Sequence, residues 1–178
     1  MNRLTKKLDE LKKQNKKALV AYLVAGDPDL DSTLDIMHML VKSGVDVIEV
    51  GVPFTDPIAE GPIIQRAHDR AITKKISLLD IYDLIAKFRL KDDETPIVLM
   101  GYLNSFIFFR HLIEENKNNS VDSILVVDIP GELNIEDYGI KNENINTISL
   151  ISPTTKEERI KSIANNSSGF IYYVTLRG

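Results

Sequence analysis

Six short apolar runs rich in β-branched residues punctuate the chain, at 18–24 (ALVAYLV), 45–50 (VDVIEV), 96–101 (PIVLMG), 121–127 (VDSILVV), 145–150 (INTISL) and 169–175 (GFIYYVT). Runs of this length read as strands, and their continuous hydrophobicity marks strands covered on both faces. Helical spacing separates them at 30–43, where Leu34, Met37, Leu40 and Val41 share a side ahead of Gly44, and again at 78–90 and 104–115. A fourth helix is predicted over 154–165, opened by Pro153, Thr154 and Glu157 in a capping-box arrangement, and 132–141 carries a weaker helical pattern. Strands that alternate with helices are parallel, because each crossover returns the chain to the same end of the sheet. The fold class is therefore α/β, as an open doubly wound sheet or as a closed (β/α)8 TIM barrel of about 250 residues. At 178 residues only the open sheet would be complete. Tyr172 to Gly178, however, leave a strand and stop at a glycine, which leads us to expect a single domain over 1–178 that is incomplete at its C-terminus.

Composition removes several kinds of chemistry. The chain has no cysteine, so disulfide frameworks, thiolate metal sites and cysteine nucleophiles are excluded together. His38, His68 and His111 are too scattered to suggest an imidazole metal centre. A net charge of −4 argues against a nucleic-acid binder. Within residues 1–17, seven basic side chains stand against Asp9 and Glu10, but Leu4, Leu8 and Leu11 at helical spacing make this the solvated face of a docked helix. No apolar run approaches the ~20 residues that span a bilayer and the start has no secretory pattern, so a cytoplasmic location is expected. The Asn-x-Ser triplets at Asn118, Asn165 and Asn166 then count as chance matches. No strand leads into G-x-G-x-x-G or G-x-x-x-x-G-K, so dinucleotide and Walker-type sites lack their signature.

The chemistry concentrates in Val45 to Gln65, VDVIEVGVPFTDPIAEGPIIQ. Glu49 interrupts an apolar strand, and a carboxylate buried there is paired, protonated or kept for function. The loop that follows carries Pro53, Pro57 and Pro62 with Asp56 and Glu60; rigid loops at the C-terminal ends of parallel strands are where such folds place active sites. Glu49 and Glu60 are therefore candidates for an acid–base pair, against the plainer readings of a salt-bridged strand residue and a solvated loop residue. A divalent-ion site from Asp56, Glu60 and Glu49 is a further alternative, although no recognisable ligand loop supports it. Asp27 reads as a turn residue, Asp29 or Asp31 as a helix N-cap, and His68 as a surface histidine.

The run VIEVGVPFTDPIAEGPIIQRA resembles the signature of the tryptophan synthase alpha chain family, supported by LVAGDPD at 23–29, PIVLMGYLN at 96–104, LVVDIP at 125–130 and SPTT at 152–155. The closing YYVTLRG resembles the start of that family's strand-6 loop. The resemblance implies a (β/α)8 barrel, here read as truncated after strand 6, that cleaves indole-3-glycerol phosphate to indole and glyceraldehyde 3-phosphate. Glu49 aligns with the residue for proton transfer and Glu60 with the second acid, which holds the indole N–H; the family commonly has Asp at the latter position. Positions matching the indole pocket are Tyr22, Ile64, Met100, Leu125, Val127, Leu150 and Tyr172, whose alternative role is ordinary barrel filling. The phosphate contacts of the family lie in the strand-6 loop and beyond strand 6, so the chain as written is expected to lack phosphate affinity. Pro53, Asp56 and Asn104 match the contact region for a beta chain in an α2β2 assembly, with pyridoxal phosphate belonging to that partner and no cofactor or metal expected here. The runners-up are another phosphate-sugar barrel enzyme and an inactive scaffold subunit.

Overall fold

The computed structural model describes residues 2–116 and 120–175. Six parallel strands, β1 (Val20–Val24), β2 (Val47–Gly51), β3 (Ile97–Gly101), β4 (Ser123–Val126), β5 (Asn146–Ile151) and β6 (Ile171–Tyr173), pair strictly in chain order within one sheet. The helices are α1 (Arg3–Lys13), α2 (Leu30–Lys42), α3 (Pro62–Thr73), α4 (Leu78–Arg89), α5 (Leu103–Phe108), α6 (Arg110–Glu115) and α7 (Glu157–Asn166). An open doubly wound sheet reverses its strand order at a switch point; sequential order throughout is the arrangement of a barrel wall.

The two faces of the sheet bury different sets of side chains. Outward, Ile48, Val50, Ile97, Leu99 and Ile124 meet Met37 of α2 and Ile81, Ile85 and Phe88 of α4 in the main core. Inward, Val47, Val98, Leu125 and Ile148 converge on Leu4 of α1, which is wholly buried. A leucine gathered into one cluster with residues of four neighbouring strands points to a curled sheet whose N-terminal end α1 plugs. The amphipathic reading of residues 1–17 therefore holds: Asn2 caps the helix by accepting from the Leu4 N–H at 2.9 Å, Leu4 points in and the lysines face outward.

Local chemistry sets the helix ends. Asp29 is the N-cap of α2 and accepts from the Ser32 N–H at 2.7 Å, while Asp27 pairs with Arg70 at 2.7 Å. Gly61 and Pro62 open α3, and Ser77 and Asp80 form a reciprocal capping box on α4. Three expectations are corrected. Thr154 does not cap α7; the Ser152 N–H binds the Thr155 hydroxyl at 2.9 Å, which closes SPTT into a turn and delays the helix to Glu157. The helix over 104–115 is broken at Phe109 (φ −107°, ψ 24°), within an FIFF run of weak helix formers. The weak pattern at 132–141 condenses to a 3-10 turn over Ile135–Tyr138. Asn118 and the last residues of YYVTLRG, Leu176 to Gly178, lie outside the described residues.

Candidate active site

β2 is buried along its whole length, and Glu49 at its centre stands in register with Tyr22 of β1 and Val98 of β3. Alternation turns Glu49 to the same side as Val47, into the curled interior one layer above the Leu4 cluster. Only 5% of its surface is exposed. Glu60 reaches the same space from the β2–α3 loop and is 9% exposed. Its Oε2 accepts a hydrogen bond from the Tyr102 hydroxyl, which in turn accepts from the Ala59 N–H at 3.0 Å. The Tyr102 ring stacks on Phe54 at 4.5 Å, which ties the end of β3 to the proline-rich loop, and the Gln65 side chain donates to the Glu60 carbonyl at 2.8 Å.

Glu49 and Glu60 line one cleft of about 640 Å³ at the C-terminal end of the strands. Met100, Leu125, Val127, Leu150 and Tyr172 supply its apolar wall, with Ile58 and Val174 at the lining as well. Burial, followed by the negative charge of Glu60, pushes the Glu49 carboxyl up to about 7. Burial also raises Glu60, although the hydrogen bond from Tyr102 opposes the shift by favouring the charged form. Two acidic groups that share a cleft do not ionise together easily, which favours a division into proton donor and charged partner. A depression of about 690 Å³ at the opposite end is lined by Arg3 and Asp122, which are engaged in an ion pair. Barrel enzymes keep their chemistry at the C-terminal face, and the acid pair selects the same end here.

The remaining candidates divide. Tyr22 and Ile64 are absent from the lining of the cleft; they pack with Val24, Ala67 and Ala71, and Tyr22 turns its hydroxyl to His68. Pro53 is half-buried in the β2–α3 loop, Asp56 is exposed there, and Asn104 is exposed on α5. Ile58 and Phe108, 75% and 76% exposed, add apolar surface in the same two segments. Among the described residues no group of three or more His, Asp or Glu could hold a metal ion, and no helix is long and apolar enough to cross a membrane. His68 is wholly buried, which overturns its surface reading. It falls four residues after Ile64 and three before Ala71, on the buried face of α3, and that spacing was the available signal. Tyr102 also escaped sequence reasoning, although it directly follows a strand end.

A curled wall of sequential parallel strands, with an acid pair inside its C-terminal mouth, defines the (β/α)-barrel class of acid–base sites. Residues 8–178 match the family model of the tryptophan synthase alpha chain. The chain is 44% identical to the tryptophan synthase alpha chain of Nitrosomonas europaea over 181 residues, covering 100% of this chain and 66% of that protein. It is 48% identical to the one of Neisseria meningitidis serogroup B over 165 residues, covering 91% of this chain and 63% of that protein. Tryptophan synthase subunit alpha of Legionella pneumophila superposes with a TM-score of 0.91 at 41% identity, covering 98% of this chain and 68% of that one. The chain in the tryptophan synthase α2β2 complex of Pyrococcus furiosus gives 0.82 at 39%, covering 90% and 66%. This protein belongs to the tryptophan synthase alpha chain family, and it spans about two thirds of the length of the curated relatives it matches.

Proposed function

We propose that this chain performs the lyase reaction of its family, the retro-aldol cleavage of indole-3-glycerol phosphate to indole and glyceraldehyde 3-phosphate in tryptophan biosynthesis. The observation that carries the reading is the convergence of Glu49 and Glu60 on one apolar cleft. The carboxyl of Glu49, pushed up to about 7, is poised to give and take protons at neutral pH. Protonated, it delivers a proton to indole C3. The ring nitrogen then carries positive charge, and the carboxylate of Glu60, aimed by Tyr102, accepts its N–H and stabilises that charge. As the glycerol hydroxyl gives its proton to the carboxylate that Glu49 has become, the carbon–carbon bond breaks, its electron pair returns to the indole ring and the aldehyde is released. Met100, Leu125, Val127 and Leu150 offer the heterocycle an apolar wall that excludes water.

This reading assigns only acid–base chemistry to the chain, with no cofactor of its own. It places the partner, a beta chain carrying pyridoxal phosphate in an α2β2 assembly, over the segments of Pro53, Asp56 and Asn104, where Ile58 and Phe108 are exposed. A cytoplasmic location follows from the same reading. The deciding experiment is indole release by Glu49→Gln, which keeps shape and removes proton transfer. We expect a fall of at least about a hundredfold in kcat with beta-chain binding retained. Cleavage at the wild-type rate would remove Glu49 from the mechanism, and absence of indole release by the wild-type protein would leave the chain a scaffold subunit.

A further inference from the structure

The mechanism leaves one buried titratable group unused. His68 on α3 has 1% of its side chain exposed and is held from two directions. Its Nδ1 accepts the backbone N–H of Phe54 at 3.1 Å. A ring nitrogen that accepts carries no proton, so the neutral imidazole keeps its single N–H on Nε2. That nitrogen lies 3.3 Å from the Tyr22 hydroxyl and 3.8 Å from Oε1 of Glu60. Oε1 is buried and has no hydrogen-bond partner among the described residues, while Oε2 is taken by Tyr102.

The groups around the ring keep it uncharged. Protonation would set a second donor against the Phe54 N–H. Burial lowers the His68 pKa, and the charge of Asp69, its neighbour on α3, opposes this with less effect. Tyr22, facing from β1, stays a neutral hydroxyl: burial raises its pKa, and the charges of Glu60, Glu49 and Tyr102 act in the same direction. Tyr22 can lie where it does because Gly51 has no side chain; a Cβ there would sit 2.2 Å from the Tyr22 oxygen.

We propose that His68 is a positioning residue for Glu60: a neutral imidazole whose Nε2–H, bonded to the Tyr22 hydroxyl and 3.8 Å from Oε1, turns its positive end to that oxygen opposite Tyr102 and biases the direction in which the carboxylate faces the cleft. A glutamate has three side-chain torsions, and Tyr102 alone restrains one oxygen. The electrostatic pull of the Nε2–H on Oε1, without a hydrogen bond, disfavours the rotation that would carry the group away from a substrate N–H. This rests on the reading of Glu60 as a working carboxylate.

The test pairs spectroscopy with turnover in His68→Leu, His68→Gln and Tyr22→Phe. In the wild-type protein, 15N spectra of the imidazole should show the Nε2–H tautomer without protonation between about pH 5 and 8. The carboxyl carbon of Glu60, assigned through Glu60→Asp, should titrate about one unit higher in His68→Leu, and His68→Gln, with its amide N–H near the Nε2 position, should restore most of the difference. Tyr22→Phe removes the competing acceptor and should lower the Glu60 pKa. In turnover, His68→Leu should lose about ten- to a hundredfold in kcat with KM within about twofold, and the limb of the pH profile set by Glu60 should move with its titration. The spectra need no turnover. If the wild-type protein releases no indole, the proposed function falls and the spectra still decide the role of His68. An imidazole that protonates at an ordinary pKa, or a Glu60 that titrates alike in all variants, overturns the positioning role even where indole is released. Should His68→Leu fail to fold, the titration of Glu60 in the Gln and Phe variants separates the same two outcomes.

Discussion

Glu49 is held where a charge is disfavoured, and this has a thermodynamic signature separate from catalysis. Its folded pKa of about 7 lies above the ordinary 4.5, so the folded protein binds the proton more tightly than the unfolded chain. The associated stability is fully present below about pH 4.5 and is lost as pH rises through about 7, with a magnitude of about 3 kcal/mol. Glu49→Gln should therefore be more stable than wild type above neutrality and nearly equal at pH 4, read from urea midpoints at the two pH values. The raised pKa of Glu60 acts in the same sense, so part of the slope survives in the variant. For Glu60 itself, the charge matters more than the stem: Glu60→Asp should keep substantial indole release, whereas Glu60→Ala should lose about a hundredfold or more in kcat. Equal rates in all three would remove Glu60 from the mechanism. Glu49 was legible because a carboxylate within an apolar run violates the local pattern, and Glu60 because a rigid proline-rich loop at the C-terminal end of a parallel strand is where such folds place their sites. The spacing of α3 held a signal for the burial of His68 but not for its partners, since Tyr22 and the Phe54 amide come from other elements.

Among the elements, α1 and α4 are fastened to β4 by one buried network. Arg89 of α4 donates to Asp122 at 2.9 Å and to the carbonyls of Thr95 at 2.7 Å and Ser120 at 2.9 Å, while Arg3 of α1 reaches the other Asp122 oxygen at 3.3 Å. The Ile97 N–H adds a further bond to Asp122 at 2.9 Å. Burial lowers the Arg89 pKa to about 10 and raises that of Asp122, so both charges carry a desolvation cost that only the complete network offsets. Arg89→Met leaves Asp122 buried with Arg3 as its remaining cation, and should destabilise by about 3–5 kcal/mol in chemical denaturation without moving the acid pair. Leu4→Ala opens a hole beneath Val47, Val98, Leu125 and Ile148 and should cost about 2–5 kcal/mol. A loss under about 1 kcal/mol would show that α1 does not plug the interior. The helix itself was readable from leucine spacing, but Arg89 and Asp122 stood in the sequence as ordinary charges.

Over the whole molecule, burial falls from the middle of the sheet towards β6. β2 and β4 are buried throughout, whereas Tyr172 and Tyr173 of β6 are 40% and 51% exposed. Amide hydrogen exchange should therefore protect β2, β3 and β4 to the limit of global unfolding, while β6 exchanges through local opening. Equal protection across all six strands would contradict this gradient. The six strands, most of the helices, parallel pairing and the candidacy of Glu49 and Glu60 were legible in the sequence alone, because each is written in short-range features: continuous apolar runs, helical periods, a carboxylate out of place and a rigid loop after a strand. Those signals arise from the chain's own geometry and need no distant partner. Tertiary structure alone decided that the sheet curls around Leu4, that Glu60 and Glu49 share a cleft, and that Tyr22 turns to His68 instead of lining that cleft. Each of these depends on side chains from separate β/α units meeting in a poorly hydrated space, where packing and pairing energies outweigh local preference.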